Sequence, residues 1–220
     1  PTFNGFISST NDWVGYTGDE DSSDPAVRHG SDTPNFNGGT NFNLSKTKDL
    51  PGTEQINLLE SQATLKFNSS KDVEFYEDVL GEGYVKVKET DCNDPLTCYD
   101  YYKLSSNENV EGGVVISITG QANVKGEVKG NVTLHASDNI NIIGDIFYDT
   151  DPRVDSTSTD LLGLVSEKDV VINRWAHSDQ GSTDLTIQAS IMALGTSFEA
   201  EEYSSGSPRG NLNLLGGIVQ

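Results

Sequence analysis

Between Val114 and Ile146 every second position is apolar or small. The row runs Val114, Ile116, Ile118, Gly120, Ala122, Val124, Gly126, Val128, Gly130, Val132, Leu134, Ala136, and resumes after Asp138 with Ile140, Ile142, Gly144 and Ile146. Between these stand Ser117, Asn123, Lys125, Glu127, Lys129, Thr133, His135 and similar polar side chains. A period of two belongs to strands with one face inward. The run is about five ordinary strands long, so the chain must bend and keep the same face inside. Gly120, Gly126, Gly130, Gly144 and the cluster Ser137-Asp138-Asn139 offer the corners. Two-residue hairpin loops would flip the parity at each turn; a chain coiling around one continuous core would not. The pattern predicts an all-β fold, a parallel β-helix (β-solenoid), with Lys125, Glu127, Lys129 and Thr133 outward.

The same logic extends downstream. Leu161–Val165, Val170–Ile172, Leu185 to Ala193 and Leu212 to Ile218 give further inward rows, with turns of roughly 17–24 residues, the size of solenoid repeats. Upstream the pattern is less regular. Pro1-Thr-Phe-Asn-Gly5 recurs as Pro34-Asn-Phe-Asn-Gly38, suited to one repeated corner. Ile56, Leu59 and Ala63 share a helical face, with Pro51 near the start and Thr53 or Asp49 as the cap. They predict one short flanking helix over 50–63, packed against the side or end of the coil. Thr64–Phe67, Val73–Tyr76, Tyr84–Val87 and Tyr99–Leu104 read as short strands of an irregular antiparallel excursion. Tyr84, Lys86 and Lys88 suit the outer face of an edge strand. Two regions result: a loop-rich part, 1–110, and regular turns, 111–220.

Charge narrows the function. The chain carries 34 Asp and Glu against 14 Lys and Arg, a formal net charge of −20. Nucleic acid and anionic membrane surfaces are disfavoured, since both need clustered basic residues. Divalent cations are favoured, although a solvated acidic surface needs none. The apolar fraction of 34% suits a thin core more than a compact globule. Cys92 and Cys98 point to a local disulfide closing a turn, and so to an oxidising, extracellular compartment. No stretch has the length and hydropathy of a membrane span. The chain opens at Pro1 without Met, which suggests processing or truncation, so membrane attachment would run through a missing N-terminal anchor.

Candidate chemistry is sparse. Asp19, Asp21 and Asp24 lie in one acidic loop, and Asp149, Asp151 and Asp155 in another; both are Ca²⁺ candidates, though neither has the spaced oxygens of an EF-hand. No other cofactor is expected. Asp145, Asp160, Arg153 and Arg174 complete the groups that a polysaccharide-cleaving β-helix would need on one face. His29, His135 and His177 are scattered, without zinc-ligand spacing; His135 falls on the outward parity. There is no Gly-x-Ser-x-Gly and no phosphate loop. Trp13, Tyr16, Trp175 and the cluster Tyr99, Tyr101, Tyr102 are candidates for stacking on sugars, or for covering a core edge.

Several strings in order resemble a bacterial surface-protein family of unknown function. They are Pro34-Asn-Phe-Asn-Gly-Gly39, residues 124–134, Asp138-Asn-Ile-Asn-Ile142, Asp160 to Val165 with Val170-Val-Ile172, Ile187 to Ala193, and Gly210 to Gln220. The resemblance implies a β-helical ectodomain behind a pilin-like N-terminal helix, absent here, and no catalytic residues to transfer. Where the family tends to carry Val-His-Thr-Asn-Gly, this chain has Val27-Arg-His29-Gly30. The reading is a non-enzymatic extracellular surface protein, structural, adhesive or pilus-associated, with a glycan or a surface assembly of its own copies as partner. The alternative is a β-helical carbohydrate-active enzyme. The last apolar row, ending at Gln220, is expected to need cover from a missing segment or another subunit.

Overall fold

The computed structural model describes residues 2–3, 7–8, 35–36, 40–41, 50–90, 92, 98–104, 113–176, 183–202 and 210–220. These are mostly β. Four two-residue strands come first: β1 (Thr2–Phe3), β2 (Ile7–Ser8), β3 (Asn35–Phe36) and β4 (Thr40–Asn41). Helix α1 (Thr53–Ser61) follows, then β5 (Leu65–Phe67), β6 (Lys71–Glu77), β7 (Gly83–Glu89) and β8 (Tyr99–Lys103). The regular region holds β9 (Val114–Ile118), β10 (Ala122–Val128), β11 (Asn131–Ala136), β12 (Ile140–Tyr148), β13 (Leu161–Ser166) and β14 (Val170–Ile172). The chain ends with β15 (Leu185–Gln188), β16 (Ser190–Ala193), β17 (Phe198–Ala200), β18 (Leu212–Leu215) and β19 (Ile218–Val219).

From β9 onward the chain passes back and forth between two sheets. One runs β8-β7-β6-β10-β12-β14-β17, with β15 alongside β12 and β18 alongside β15; the other runs β5-β9-β11-β13-β16-β19. All pairings in the second sheet are parallel. In the first, only β6-β7 and β7-β8 are antiparallel, so the antiparallel excursion expected over 64–104 is confined to these pairings; β5 and the other side of β6 pair in parallel with the regular region. The parity survives each corner: Val124, Val128, Val132, Leu134, Ile140 and Ile142 are all buried in one core fed by both sheets. Lys125, Glu127, Lys129 and Thr133 point away from it and keep partial exposure. The sheets continue across residue 110, since β5 pairs with β9 and β6 with β10.

Several details depart from the sequence reading. Val114 pairs with Val132, 18 positions on, but Val132 pairs with Leu162, 30 on, and Leu164 with Ile191, 27 on. The later spacings exceed the expected turn length because loops such as 149–160 are inserted between strands. Gly126 and Gly144 lie inside β10 and β12, not at corners. Strand β7 is interior, because β8 pairs along its whole outer side and takes the edge. The cap of α1 is Gly52, whose N–H donates to Gln55 Oε1 at 3.0 Å, in place of Thr53 or Asp49.

The short N-terminal repeat is structural. Thr2 and Phe3 pair in parallel with Asn35 and Phe36, and Ile7 and Ser8 with Thr40 and Asn41. Each copy therefore contributes two short strands that pair in parallel with those of the other. Strand β1 also comes within 8 Å of β18, Cα to Cα, so the chain's own N-terminal pair adjoins the last row.

Candidate functional site

The outer face of β6, β7 and β8 gathers the chain's most organised side chains. Alternation puts Asp72, Glu74 and Tyr76 outward on β6, and Tyr84, Lys86 and Lys88 outward on β7. The antiparallel register then sets Asp72 opposite Lys88, Glu74 opposite Lys86 and Tyr76 opposite Tyr84. Each pair is complementary. Lys88 Nζ lies 3.1 Å from Asp72 and Lys86 Nζ 3.3 Å from Glu74. The rings of Tyr76 and Tyr84 stack at 5.7 Å. Cross-strand contacts of this kind fix the hairpin register, each contributing a few tenths to about 1 kcal/mol.

Strand β8 adds exposed Tyr101 and half-buried Tyr99. Tyr101 is 57% exposed and meets Tyr76 edge-on, with centroids 6.4 Å apart. Tyr99 lies 6.5 Å from Tyr101, and Lys86 Nζ sits 4.1 Å from the Tyr99 centroid. The pKa of Lys88 is raised by its hydrogen bond to Asp72. The result is a strip of four rings, one of them over an ammonium group, flanked by paired charges. Such a strip offers flat apolar faces and hydroxyl edges, the chemistry that recognises a sugar ring. The predicted cluster is split: Tyr99 and Tyr101 belong to the strip, whereas Tyr102 turns inward and packs on Phe67 at 5.7 Å. Tyr76 and Tyr84 were missed. Their outward parity was legible, but not the register that brings them beside β8.

The strip continues as a polar ladder. Asn123 Nδ2 donates to Asp72 Oδ1 at 2.8 Å, and Asn141 Nδ2 to Asn123 Oδ1 at 2.9 Å. In-register Asn side chains thus carry hydrogen bonds across β6, β10 and β12.

The loop after β12 holds the predicted carboxylates, and they do not converge. Asp149 accepts from Lys129 Nζ at 3.0 Å and from Thr150 Oγ1 at 3.1 Å. Asp155 accepts from Thr157 N at 2.9 Å and Thr157 Oγ1 at 2.7 Å. Asp151 holds Arg153 with two bonds, from Nε to Oδ1 at 3.0 Å and from Nη2 to Oδ2 at 2.6 Å. The Arg153 guanidinium holds the Asp151 carboxyl down to about 2, aided by the Arg153 amide and Gln188. Among the described residues Asp149, Asp151 and Asp155, the Ca²⁺ candidates, make these separate bonds and do not stand close enough together to share one ion. Asp160 accepts from Gly130 N and Thr150 N, and Asp145 from Thr186 N, each fastening a turn or strand. Asp19, Asp21 and Asp24 lie outside the described residues, as do Trp13, Tyr16, His29 and His177.

A shallow concavity of about 320 Å³ beside Arg153 is lined by Thr186, Gln188, Asn213, Leu214 and Leu215. Buried Gln188 spans it, accepting from Tyr148 N at 2.6 Å and donating to Asp151 Oδ2 at 3.1 Å. Arg174 is not among its lining residues; it is paired with Glu202 at 2.5 Å and lies 4.5 Å from the Trp175 ring.

Cys92 and Cys98 are joined in a disulfide between β7 and β8, with Cα atoms 5.8 Å apart. That spacing is ordinary for the bond. Intact mass with and without reductant should show one intrachain bridge in protein recovered from outside the cell; two freely alkylated thiols there would contradict it.

Among the described residues, the metal-ligating side chains that do converge are Glu60, His135 and Glu167. His135 was expected to face solvent and is fully buried. No helix among the described residues is long and apolar enough to cross a membrane. Comparison of the chain with protein-family models, with curated proteins and with solved structures returns no match.

Proposed function

We propose that the chain is a β-solenoid and serves as a non-enzymatic, extracellular surface protein, structural, adhesive or pilus-associated, in keeping with its resemblance to a bacterial surface-protein family of unknown function. The coil reading is supported by a chain that, from β9 onward, passes between two sheets around one core, its strands pairing in parallel within each sheet. The observation that carries the adhesive reading is the outward ring strip of Tyr76, Tyr84, Tyr99 and Tyr101, of which Tyr101 is exposed and the other three are half-buried. Its partner is a glycan, with stacking on Tyr101 as the main contact.

The acid-base groups speak for binding over cleavage. Catalysis needs an acid, a base and charge-stabilising groups around one reacting bond. Here Asp151 is spent on Arg153, Asp149 on Lys129, and Asp155 on its own turn. A carboxyl held near 2 is a weak base and carries no proton to donate at neutral pH.

A glycan panel tests the reading. Binding should weaken about fivefold in Tyr101→Ala, the loss of about 1 kcal/mol of stacking, with the thermal transition unchanged, and Tyr99→Ala should act in the same direction. Release of reducing or unsaturated sugars from acidic polysaccharides, abolished by Asp151→Ala or Arg153→Ala, would establish the enzyme instead.

A further inference from the structure

The second sheet carries an outer-face feature unrelated to the ring strip. Ser117 on β9 and His135 on β11 are register partners on the parity that should face water, yet both are buried. Glu60, in the last turn of α1, reaches the same place. Glu167, directly after β13, is fixed there by its backbone N–H, which donates to Ala136 O at 3.0 Å. One ligand atom from each of Glu60, His135 and Glu167 lies within 4.8 Å of the other two.

The imidazole is the informative member. Its ring is 0% exposed. Nδ1 lies 3.2 Å from Ser117 Oγ. Nε2 lies 3.2 Å from Glu167 Oε1, within ion-pair distance, yet makes no hydrogen bond. A buried nitrogen in that position costs stability unless something else completes it. The two carboxylates also repel each other, and among the described residues neither is paired with a Lys or Arg. One divalent cation answers both problems.

We propose that Glu60, His135 and Glu167 form a transition-metal site, fitted to Zn²⁺, that pins α1 to the outer face of the second sheet. The ligand set selects the ion. An imidazole nitrogen with two carboxylate oxygens suits Zn²⁺, whereas Ca²⁺ and Mg²⁺ take oxygen shells. Distances agree. With Zn–N and Zn–O bonds of about 2.1 Å, tetrahedral ligand atoms stand roughly 3.4 Å apart, and the His135–Glu167 separation is already 3.2 Å. Glu60 closes the remainder by turning a flexible, half-exposed side chain. Ser117 supplies the orientation: Nδ1–H donated to Ser117 Oγ leaves the Nε2 lone pair for the metal. Three protein ligands leave a coordination position for water. The site joins three separate elements, α1, β11 and the turn after β13. Sequence spacing hid it, because the ligands stand 75 and 32 positions apart along the chain.

Chelator-stripped protein titrated with Zn²⁺, and with Co²⁺ as the visible-absorbing probe, tests the site. Excess Mg²⁺ occupies the acidic surface throughout. One equivalent of Zn²⁺ should bind saturably and raise the melting temperature, and Co²⁺ should develop d–d bands. Glu60→Gln and Glu167→Gln should each weaken Zn²⁺ binding at least about tenfold. Neither should lower the melting temperature of the metal-free protein, since both remove a repelling charge, so loss of binding is separable from loss of fold. Full-strength binding in the Glu60→Gln/Glu167→Gln double variant, or binding lost instead in His29→Ala or His177→Ala, overturns the proposal. So does Zn²⁺ binding no stronger than that of Mg²⁺.

Discussion

Val132→Asp should abolish the cooperative thermal transition or lower its midpoint by roughly 10 °C or more, following a loss of about 4 kcal/mol. Val132 is 1% exposed and pairs on one side with Val114 and on the other with Leu162, both inward. The substitution removes the packed valine and places a carboxylate among apolar side chains, where an unpaired charge is strongly disfavoured. With total stability of about 5–15 kcal/mol, one such change consumes much of it. Asn131→Asp is the control. It lies one position away on the same strand, on the exposed side, and should stay within about 0.5 kcal/mol of the parent. Differential scanning calorimetry on the two variants checks the pair. Equal effects would mean that parity does not decide which face of β11 is inside.

That parity was the legible part of the fold. Alternation depends only on nearest neighbours and carries through Gly126 and Gly144 inside their strands as well as through the corners at Gly120, Gly130 and Ser137-Asp138-Asn139, so the buried set from Val124 to Ile142 followed from the sequence. Row spacing did not, because it depends on what is inserted between strands. The step from Val114 to Val132 is tight, while the step from Val132 to Leu162 absorbs the loop 149–160 with its own Asp-capped turns. Nothing in the alternation tells a loop residue from a missing strand.

Site chemistry was legible only where one strand sufficed. Outward Lys86 and Lys88 could be read along β7, but their partners Glu74 and Asp72 depend on register across a turn. The same holds for Tyr76 and Tyr84. His135 shows the converse failure. Its outward parity was read correctly and its exposure was not, because parity says which side of the sheet a residue leaves from, and not what lies over that side. The helix that supplies Glu60 was itself legible, from Ile56, Leu59 and Ala63; its landing place was not. The acidic loop failed differently again: Asp151 and Arg153 are close in sequence and satisfy each other, so proximity of carboxylates did not mean convergence.

Gly126→Ala should be nearly as damaging as a charge in the core, costing roughly 3 kcal/mol or more. Gly126 sits inside β10 with φ +113°, a conformation L side chains rarely adopt. Its position coincides with a register shift. Val124 pairs with Ile142 but Gly126 pairs with Ile146, so β12 carries two extra residues at this point. On the other side Gly126 is the partner of Phe75 in β6. A Cβ here would stand 2.1 Å from the Phe75 carbonyl oxygen and 2.8 Å from its nitrogen. Those are backbone atoms of a strand whose Phe75 side chain is 1% exposed, so β6 can withdraw only by opening the core. Since β6 also carries Asp72, Glu74 and Tyr76, the disturbance should reach the ring strip and weaken whatever binds there. Gly163→Ala separates this from a general effect of losing glycine. Gly163 lies inside β13, where an added Cβ meets only Thr133, at 3.6 Å, in ordinary contact. That change should lie within about 1 kcal/mol of the parent, in the direction of stabilisation, by restricting the unfolded chain. Chemical denaturation of the two variants decides the matter: equal midpoints would mean that β10 relaxes at Gly126 without displacing β6, and the register shift would then be no constraint on the fold.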